Sequence, residues 1–212
     1  MSTELYPVDS GFPPTIIPLV GGTPPARRFT VEEYHQMIDR GILSENDRVE
    51  LLDGWILEMS PIGPPHATVV SLVAAALQDV MPAGWHLRTQ APITLENGEP
   101  EPDVTIVRGG IRDYVTHHPS ASDLLACDIA LLVEVSDASL QYDRLQKRPQ
   151  YAAAGIPEYW IVNLIDRRLE VYRDPAHGGD YQVTETIAAD GVVELIIEGK
   201  SMASVSVADL MP

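Results

Sequence analysis

Cysteine, basic residues and long apolar runs are all scarce in this chain of 212 residues. The single cysteine, Cys127, excludes an intramolecular disulfide framework and a cysteine-rich zinc site, and it fits a reducing compartment. No apolar run approaches the ~20 residues that a membrane-spanning helix needs. Residues 1–9 carry neither the basic cluster nor the apolar segment of a secretory signal. We therefore expect a cytoplasmic protein that has no membrane partner.

The shortage of basic residues leaves the chain strongly acidic. Fourteen lysines and arginines stand against 31 acidic residues, which gives a net charge of −17. Such a surface repels polyanions at long range and argues against a protein that coats nucleic acid nonspecifically. It leaves room for a metal-dependent enzyme that acts on phosphates, because clustered carboxylates are the ligands that a hard cation needs.

The distribution of proline predicts two parts of the chain, an arm over residues 1–28 and one domain over residues 29–212. The density of prolines in the first 26 residues predicts an extended segment that is neither helix nor sheet. The rest of the chain is long enough to bury a core of its own, and a hydrophobic content of 45% is ordinary for a globular protein. The domain opens on Thr30 and Glu33, whose spacing predicts a capping box for a helix over 31–40 that ends at Gly41.

The hydrophobic pattern then predicts both helices and strands. Two hairpins are indicated by turn signals at Asp53-Gly54 and Asp166-Arg167. Helices are predicted over 66–80 and 144–154. Strands are predicted over 87–95, 102–107, 129–135, 182–187 and 192–197, and the unbroken apolar run of 129–135 is typical of a strand that is covered on both faces. This order of elements indicates an α/β or α+β protein with helices packed against a sheet.

Acidic residues are concentrated next to two of the predicted strands. In the extended segment from Glu99 to Asp103, alternation places Glu99, Glu101 and Asp103 on one side, which is unfavourable without a cation; the alternative is an ordinary acidic loop. Glu134 lies at the end of the buried run, where an unpaired carboxylate is costly. We therefore expect Glu134 to have a basic, backbone or metal partner.

A lysine completes a possible site on the following helix. A spacing of four places Asp143, Lys147 and Tyr151 on one helix face, although a lysine there is ordinarily a solvated surface residue. Two carboxylates from separate strands and a lysine form the donor set of a metal-dependent nuclease, because Mg²⁺ prefers oxygen ligands and a lysine stabilises an anionic transition state. Pro149 must lie in the first turn of its helix, and it disfavours an α conformation at Arg148.

These motifs together resemble the Uma-two family, a large bacterial group of endonuclease-like proteins in the PD-(D/E)XK nuclease superfamily. The resemblance spans residues 29–172. It rests on the segments Val49-Glu50-Leu-Leu-Asp-Gly54, Glu101-Pro-Asp103-Val, Val133-Glu134-Val-Ser, Asp143 with Lys147, and Tyr151-Ala-x-x-Gly155-Ile-x-Glu158-Tyr-Trp-Ile-Val162, together with His66. It implies a restriction-endonuclease-like core, in which helices flank a mixed central β-sheet, and it implies a homodimer.

The resemblance also implies roles for individual residues. Asp103 and Glu134 are the implied ligands of Mg²⁺ or Mn²⁺, with the carbonyl of Val135 as a further ligand. The superfamily pattern places a lysine two residues after the acid, where this chain has Ser136. Lys147 takes that role from the following helix.

Further residues complete the candidate site. Glu50 is a candidate third acid, and His66 is a candidate for phosphate binding or proton transfer. The only local basic residues that we can assign to a phosphate cradle are Arg144, Lys147, Arg148, Arg108 and Arg112.

The leading hypothesis is a Mg²⁺-dependent endonuclease that hydrolyses DNA phosphodiester bonds with a metal-activated water. One alternative is a noncatalytic dimeric scaffold with a nuclease fold, which the acidic net charge favours. Another is a metal-dependent hydrolase of small phosphates, which an acidic surface hinders less and which a narrow closed pocket would favour. Basic residues gathered around the acids would favour the nuclease, whereas basic residues paired with other carboxylates would favour the scaffold.

Overall fold

A mixed β-sheet of six strands organises the structure, a computed structural model that describes residues 26–44, 46–121, 128–176 and 178–212. Almost all of the predicted arm, and Cys127, lie outside the described residues. The strand order is β3-β4-β5-β6-β7-β8, and only β5 and β6 run parallel. The strands are β3 (Trp85–Thr89), β4 (Val104–Arg108), β5 (Ile129–Ser136), β6 (Glu158–Asn163), β7 (Arg168–Ala176) and β8 (Asp180–Ala188). The predicted fold class is confirmed.

Helices and two small hairpins surround this sheet. The hairpins are β1 (Val49–Leu52) with β2 (Trp55–Glu58), and β9 (Val192–Ile197) with β10 (Lys200–Ser206). The helices are α1 (Val31–Asp39), α2 (Pro64–Asp79), α3 (Leu140–Tyr142) and α4 (Arg148–Ala153), with 3₁₀ turns at Ile111–Tyr114 and Val207–Leu210. No helix in these described ranges is long and apolar enough to cross a membrane.

The sheet is covered on both faces, as the apolar run of β5 predicts. All eight residues of β5 are buried. Val133, Val135 and Trp160 belong to a core that also includes residues of α2 and of the β9–β10 hairpin. Leu132 and Ile161 project from the opposite face, into a second core that α4 helps to cover. Glu134 follows Leu132 by two positions and therefore lies on this second face.

The helix between β5 and β6 starts earlier than its sequence predicts, at Leu140. α3, a π-turn at Asp143–Lys147 and α4 follow one another without a break, and we call residues 140–153 the site helix. The N–H of Arg148 donates to the carbonyl of Asp143, five residues back, and Arg148 is α-helical with φ −51° and ψ −50°. The expectation that Pro149 disfavours this conformation is wrong. Pro149 lies near the start of α4, directly after the widened turn, where its missing N–H is tolerated.

Two strand predictions at the periphery are also corrected. The strand predicted over 87–95 ends at Thr89, because Gln90 has a positive φ of 45° and Pro92 follows. The last strand, β10, has no counterpart in the prediction, since its residues are mostly exposed and do not form a clear apolar pattern.

The predicted capping box and first hairpin are confirmed. Thr30 Oγ1 accepts from the Glu33 N–H at 3.1 Å, and a Glu33 carboxylate oxygen accepts from the Thr30 N–H at 3.1 Å. Asp53 and Gly54 both have positive φ, 48° and 76°, as a two-residue turn between β1 and β2 requires. This turn fixes the register of the hairpin that carries Glu50.

Gly54→Ala is expected to destabilise the protein more than Gly41→Ala. Both glycines have a positive φ, so alanine costs roughly 1–2 kcal/mol at either position. At Gly54 an added Cβ would also lie 2.6 Å from Cβ of Arg28 and 3.1 Å from the carbonyl oxygen of Phe29. That overpacking adds about 1–3 kcal/mol, whereas nothing lies within 4 Å of a Cβ at Gly41. Urea denaturation measures the two losses, and equal losses would contradict this packing.

Candidate active site

Two carboxylates lie side by side where β4 begins and β5 ends. Val104 pairs with Val133 in the antiparallel ladder, so the next pair in register is Asp103 with Glu134. Both side chains are buried, with relative exposures of 7% and 4%. The N–H of Val135 donates to Asp103 Oδ2 at 2.8 Å, which fixes the Asp103 carboxylate against β5.

A buried lysine joins Glu134 to a third carboxylate. Lys147 Nζ lies 3.1 Å from Glu134 Oε1 and 3.4 Å from Glu50 Oε2. The Tyr151 hydroxyl donates to the same Glu134 oxygen at 2.9 Å. Of the partners expected for Glu134, the structure shows a basic side chain, Lys147. The π-turn that ends at Lys147 positions it next to Glu134. Lys147 is not a solvated surface residue, since it is 6% exposed.

Glu50 enters the site from the β1–β2 hairpin. The N–H of Glu99 donates to the carbonyl of Leu51 at 2.7 Å, which docks β1 on the segment before β4. Glu50 Oε2 then accepts from the N–H of Glu101 at 3.3 Å, and Glu50 Oε1 lies 3.4 Å from the Tyr142 hydroxyl. Two elements that are distant in sequence thus hold Glu50 beside Lys147.

His66 reaches the other side of Asp103 from the first turn of α2. Its Nε2 lies 2.8 Å from Asp103 Oδ1. The hydrogen bond with Asp103 raises the pKa of His66 above its usual value, and burial opposes this shift. The imidazole therefore holds a proton next to the carboxylate over a wider pH range than a free histidine does.

The site contains more carboxylates than cations. Burial raises the pKa of Glu134 well above its usual value, while Lys147 opposes that shift. Burial alone would lower the pKa of Lys147, but Glu134 and Glu50 raise it well above the usual value, so we assign the proton to the lysine. Asp103 and Asp143 add further negative charge, and both contribute to the raised pKa of Glu134.

This excess of negative charge fits a divalent cation. Among the described residues, no three His, Cys, Asp or Glu side chains form a preformed metal cage. Mg²⁺ does not need one, because it is usually held by one or two carboxylates and completes its shell with water and substrate phosphate. Asp103 and Glu134 are hard oxygen donors on adjacent strands, and they are the residues that would hold it.

Glu99 and Asp143 lie close in sequence to the site residues, but each has its own partners. Glu99 Oε2 lies 2.6 Å from His35 Nε2 and accepts from the Thr94 hydroxyl at 3.2 Å, so it does not share the side of Asp103. Asp143 Oδ2 accepts from the hydroxyls of Ser136 and Ser139 at 2.6 and 2.7 Å. Asp143 thereby ties the start of the π-turn to the end of β5.

The predicted phosphate cradle is not assembled around the acids. Arg148 lies 3.5 Å from Asp180, and Arg108 lies 2.9 Å from Glu198. Arg144 forms a two-pronged contact with Glu170, whose carboxylate also accepts from Asn163 and Tyr172; Arg112 stays exposed in the 3₁₀ turn. Because the partners of these arginines lie on β7, on β8 and in the turn between β9 and β10, the sequence spacing alone did not reveal the pairing.

Sequence reasoning missed Tyr142 as a site residue. Its hydroxyl contacts Glu50, its ring lies 5.9 Å from Lys147 Nζ, and burial raises its pKa beyond the usual range. The only signal was its position next to Asp143, and a tyrosine at that spacing is more often a core residue. Tyr142 and Tyr151 thus contact Glu50 and Glu134, the two carboxylates that pair with Lys147.

The mixed sheet, whose two parallel strands β5 and β6 are connected by the site helix, is a restriction-endonuclease-like core. The chain belongs to the Uma2 family, described as "Putative restriction endonuclease", whose profile matches residues 31–203. This match confirms the resemblance inferred from the motifs. No curated protein sequence matches the chain.

A solved structure supports the same fold. The chain is similar to a crystal structure described as "a putative nuclease belonging to DUF820" from Anabaena variabilis ATCC 29413. The similarity covers 86% of this chain and 97% of that chain, with 16% sequence identity and a TM-score of 0.61. At this identity the likeness establishes the fold alone.

Glu170→Gln is expected to lower the free energy of unfolding at neutral pH by on the order of 3 kcal/mol, because Arg144 loses its buried partner. Burial opposes ionisation of Glu170, but hydrogen bonds from Arg144, Asn163 and Tyr172 outweigh it and lower its pKa below the usual 4.5. A lowered folded-state pKa stabilises the fold above pH 4.5, and this contribution disappears as pH falls through the folded-state pKa.

Thermal midpoints of the wild type and Glu170→Gln, measured across pH, test this assignment. The difference is expected to be full at neutral pH and to shrink below pH 4.5, the usual value for this carboxyl. A difference that stays constant into the acidic range would contradict the ionic role of Glu170.

Proposed function

We propose that the protein is a Mg²⁺-dependent endonuclease, with Mn²⁺ as an alternative metal, that hydrolyses phosphodiester bonds of DNA in the cytoplasm. The observation that supports this proposal best is the pairing of Asp103 with Glu134 beside a buried Lys147. The family description and the structural neighbour agree with it. In the homodimer that the family resemblance implies, each strand of a duplex would meet one site.

In this proposal, each residue of the site has a separate role in the reaction. When bound, the metal activates a water and neutralises charge that develops on the phosphate. Asp103 and Glu134 would hold the metal, and the Val135 carbonyl would be a further ligand. Lys147 places a fixed positive charge next to Glu134, where it orients the attacking water or stabilises the anionic transition state.

Three other residues assist the reaction in the proposal. Glu50 keeps Lys147 charged and in place, because its carboxylate lies 3.4 Å from the lysine Nζ. His66 fixes one oxygen of Asp103 and holds a proton that it can exchange with the leaving group. Arg144 orders the site helix through Glu170, and in this structure its guanidinium is committed to that carboxylate.

The noncatalytic scaffold is the second candidate, because one observation favours it. The arginines expected to cradle a phosphate are paired with other carboxylates, and the chain has a net charge of −17. An acidic surface without a cationic track would bind DNA weakly. A hydrolase of small phosphates is the third candidate, and it would need the same metal site.

Mg²⁺ or Mn²⁺ is expected to bind the wild type and to lose its binding in Asp103→Asn. Binding to the folded state alone raises stability by about 2.7 kcal/mol at 100 times the dissociation constant, so the thermal midpoint rises with the metal. Titration calorimetry and thermal melts measure both effects. Glu58→Gln, which removes one exposed carboxylate from β2, is the matched control and should bind like the wild type. Absence of saturable binding in the wild type would favour the scaffold.

Nicking of supercoiled plasmid in the presence of Mg²⁺ tests the activity. Asp103→Asn and Glu134→Gln are expected to slow it by ~100-fold or more, because each removes a charge that stabilises the transition state. Lys147→Met is expected to do the same, and its thermal midpoint shows whether the loss reflects unfolding. Glu58→Gln should leave nicking unchanged. Full activity in all three site variants would rule out the assignment, while metal binding without nicking would direct the search to small phosphodiesters.

A further inference from the structure

A pocket beside the edge strand β3 is lined by an arginine that forms no ion pair with the described residues. The pocket has a volume of about 240 Å³ and is lined by His86, Leu87, Arg88, Ile111 and Tyr114. Arg88 Nη1 is buried and has no hydrogen-bond partner in the described part of the chain. Burial lowers the pKa of Arg88, and the nearby Tyr114 opposes that shift. Arg88 as a whole is half-buried. A buried N–H group left without an acceptor is costly, which points to a ligand that would pair with it.

Arg88 differs in this respect from three arginines of the predicted cradle. Arg108, Arg144 and Arg148 each contact a carboxylate within 4 Å, so their charge is neutralised locally. In a chain with a net charge of −17, a guanidinium that no carboxylate neutralises is a local point of positive potential. A planar guanidinium with free N–H donors matches the oxygens of a phosphate.

Aromatic rings lie next to this guanidinium. The ring centroids of His86 and Tyr114 are 5.7 Å apart, and those of Tyr114 and His117 are 5.4 Å apart. Burial lowers the pKa of His118, Glu99 opposes that shift, and nearby Arg88 adds to it. Three carboxylates lie near these rings. Asp128 accepts from the Ser120 N–H and is also hydrogen-bonded to Tyr114, and Asp113 lies near Tyr114 as well. Glu99 lies 2.6 Å from His35 Nε2 and 3.8 Å from His118 Nε2. An arginine that lines a pocket together with aromatic side chains can bind a nucleic-acid strand through phosphate contact and base stacking.

The strand register places this pocket on the same face as the carboxylates. Arg88 pairs with Thr105, and Thr105 pairs with Leu132, two residues before Glu134. Residues two apart on a strand share a face, so Arg88 and Glu134 project to the same side of the sheet. With strands about 4.8 Å apart and about 3.3 Å per residue, their Cα atoms are about 12 Å apart. A strand that rises about 3.4 Å per nucleotide covers that distance within a few nucleotides.

We propose that Arg88, together with His86 and Tyr114, binds a backbone phosphate of the polynucleotide a few nucleotides away from the phosphate held at Asp103 and Glu134. The inference rests on the proposed nuclease function, and it names the contact that allows an acidic protein to hold DNA. Arg88 takes no part in bond cleavage. It positions the substrate. Loss of Arg88 is therefore expected to raise KM for DNA and to leave kcat unchanged.

The test measures DNA binding without cleavage. A fluorescein-labelled duplex and a single strand of the same sequence are titrated with the protein in EDTA, and binding is followed by anisotropy at several salt concentrations. Arg88→Ala is expected to bind about tenfold more weakly than the wild type, and its salt dependence is expected to fall by about one released ion. Arg40→Ala, which removes an exposed arginine at the end of α1, is the control with the same change of charge.

The outcomes separate this inference from the proposed activity. Equal binding by Arg88→Ala and Arg40→Ala, or no binding by the wild type, would overturn the inference. Weaker binding by Arg88→Ala alone supports it even if the wild type never nicks plasmid, in which case only the proposed activity fails.

Two further measurements complete the test. The thermal midpoint of Arg88→Ala is expected to stay level or rise, because an unpaired buried charge is removed; a clear fall would indicate a structural role instead. Oligonucleotides with and without a 5′-phosphate, and inorganic phosphate as competitor, distinguish a backbone phosphate from a terminal phosphate or a free anion. Binding that requires the 5′-phosphate would overturn the backbone assignment.

Discussion

The contact between the Lys147 ammonium and the Glu134 carboxylate, 3.1 Å apart in the protein interior, is the interaction on which the site depends. Burying both charges costs several kcal/mol per ion, and their attraction returns that only when the geometry is good. An apolar pair of similar size would serve stability equally well. The pair is therefore better explained by chemistry than by stability, because it holds a positive charge beside a carboxylate that can accept a metal. Each member of the pair has a further polar partner: Glu50 lies next to the Lys147 ammonium, and the Tyr151 hydroxyl donates to the Glu134 carboxylate.

The path of the site helix follows from this requirement. An α-helix running directly into Pro149 would lose an N–H and meet the proline ring within one turn. The π-turn widens the helix before Pro149, and it places Lys147 and Tyr151 over Glu134 while Asp143 stays bonded to Ser136 and Ser139. Widened turns of this kind are frequent at functional sites, since the extra residue re-aims the side chains that follow it. The π-turn that accommodates Pro149 therefore also positions Lys147 and Tyr151 at the site.

The arginines of this protein fall into two groups, those that form ion pairs inside the fold and those that could contact a ligand. Arg144 and Arg173 are committed to Glu170 and Glu158 inside the fold, where they connect the site helix, the sheet and the second hairpin. A strongly acidic chain cannot attract DNA through its overall field. Any nucleic acid must be held by short-range contacts, and these contacts require donors that no carboxylate already occupies. Arg88, on the face that carries Glu134, meets that requirement.

The sequence by itself determined the elements with local causes and the residue types of the site. The capping box at Thr30, the turn at Asp53-Gly54 and the buried run of β5 depend on neighbours within a few residues, and all are present. The motifs also singled out Asp103, Glu134 and Lys147, which lie together. Only the tertiary structure decided the partner of each charge. Arg144 and Glu170 are 26 residues apart and Lys147 and Glu50 are 97 apart; such pairings depend on strand order, register and a π-turn, which no local pattern specifies.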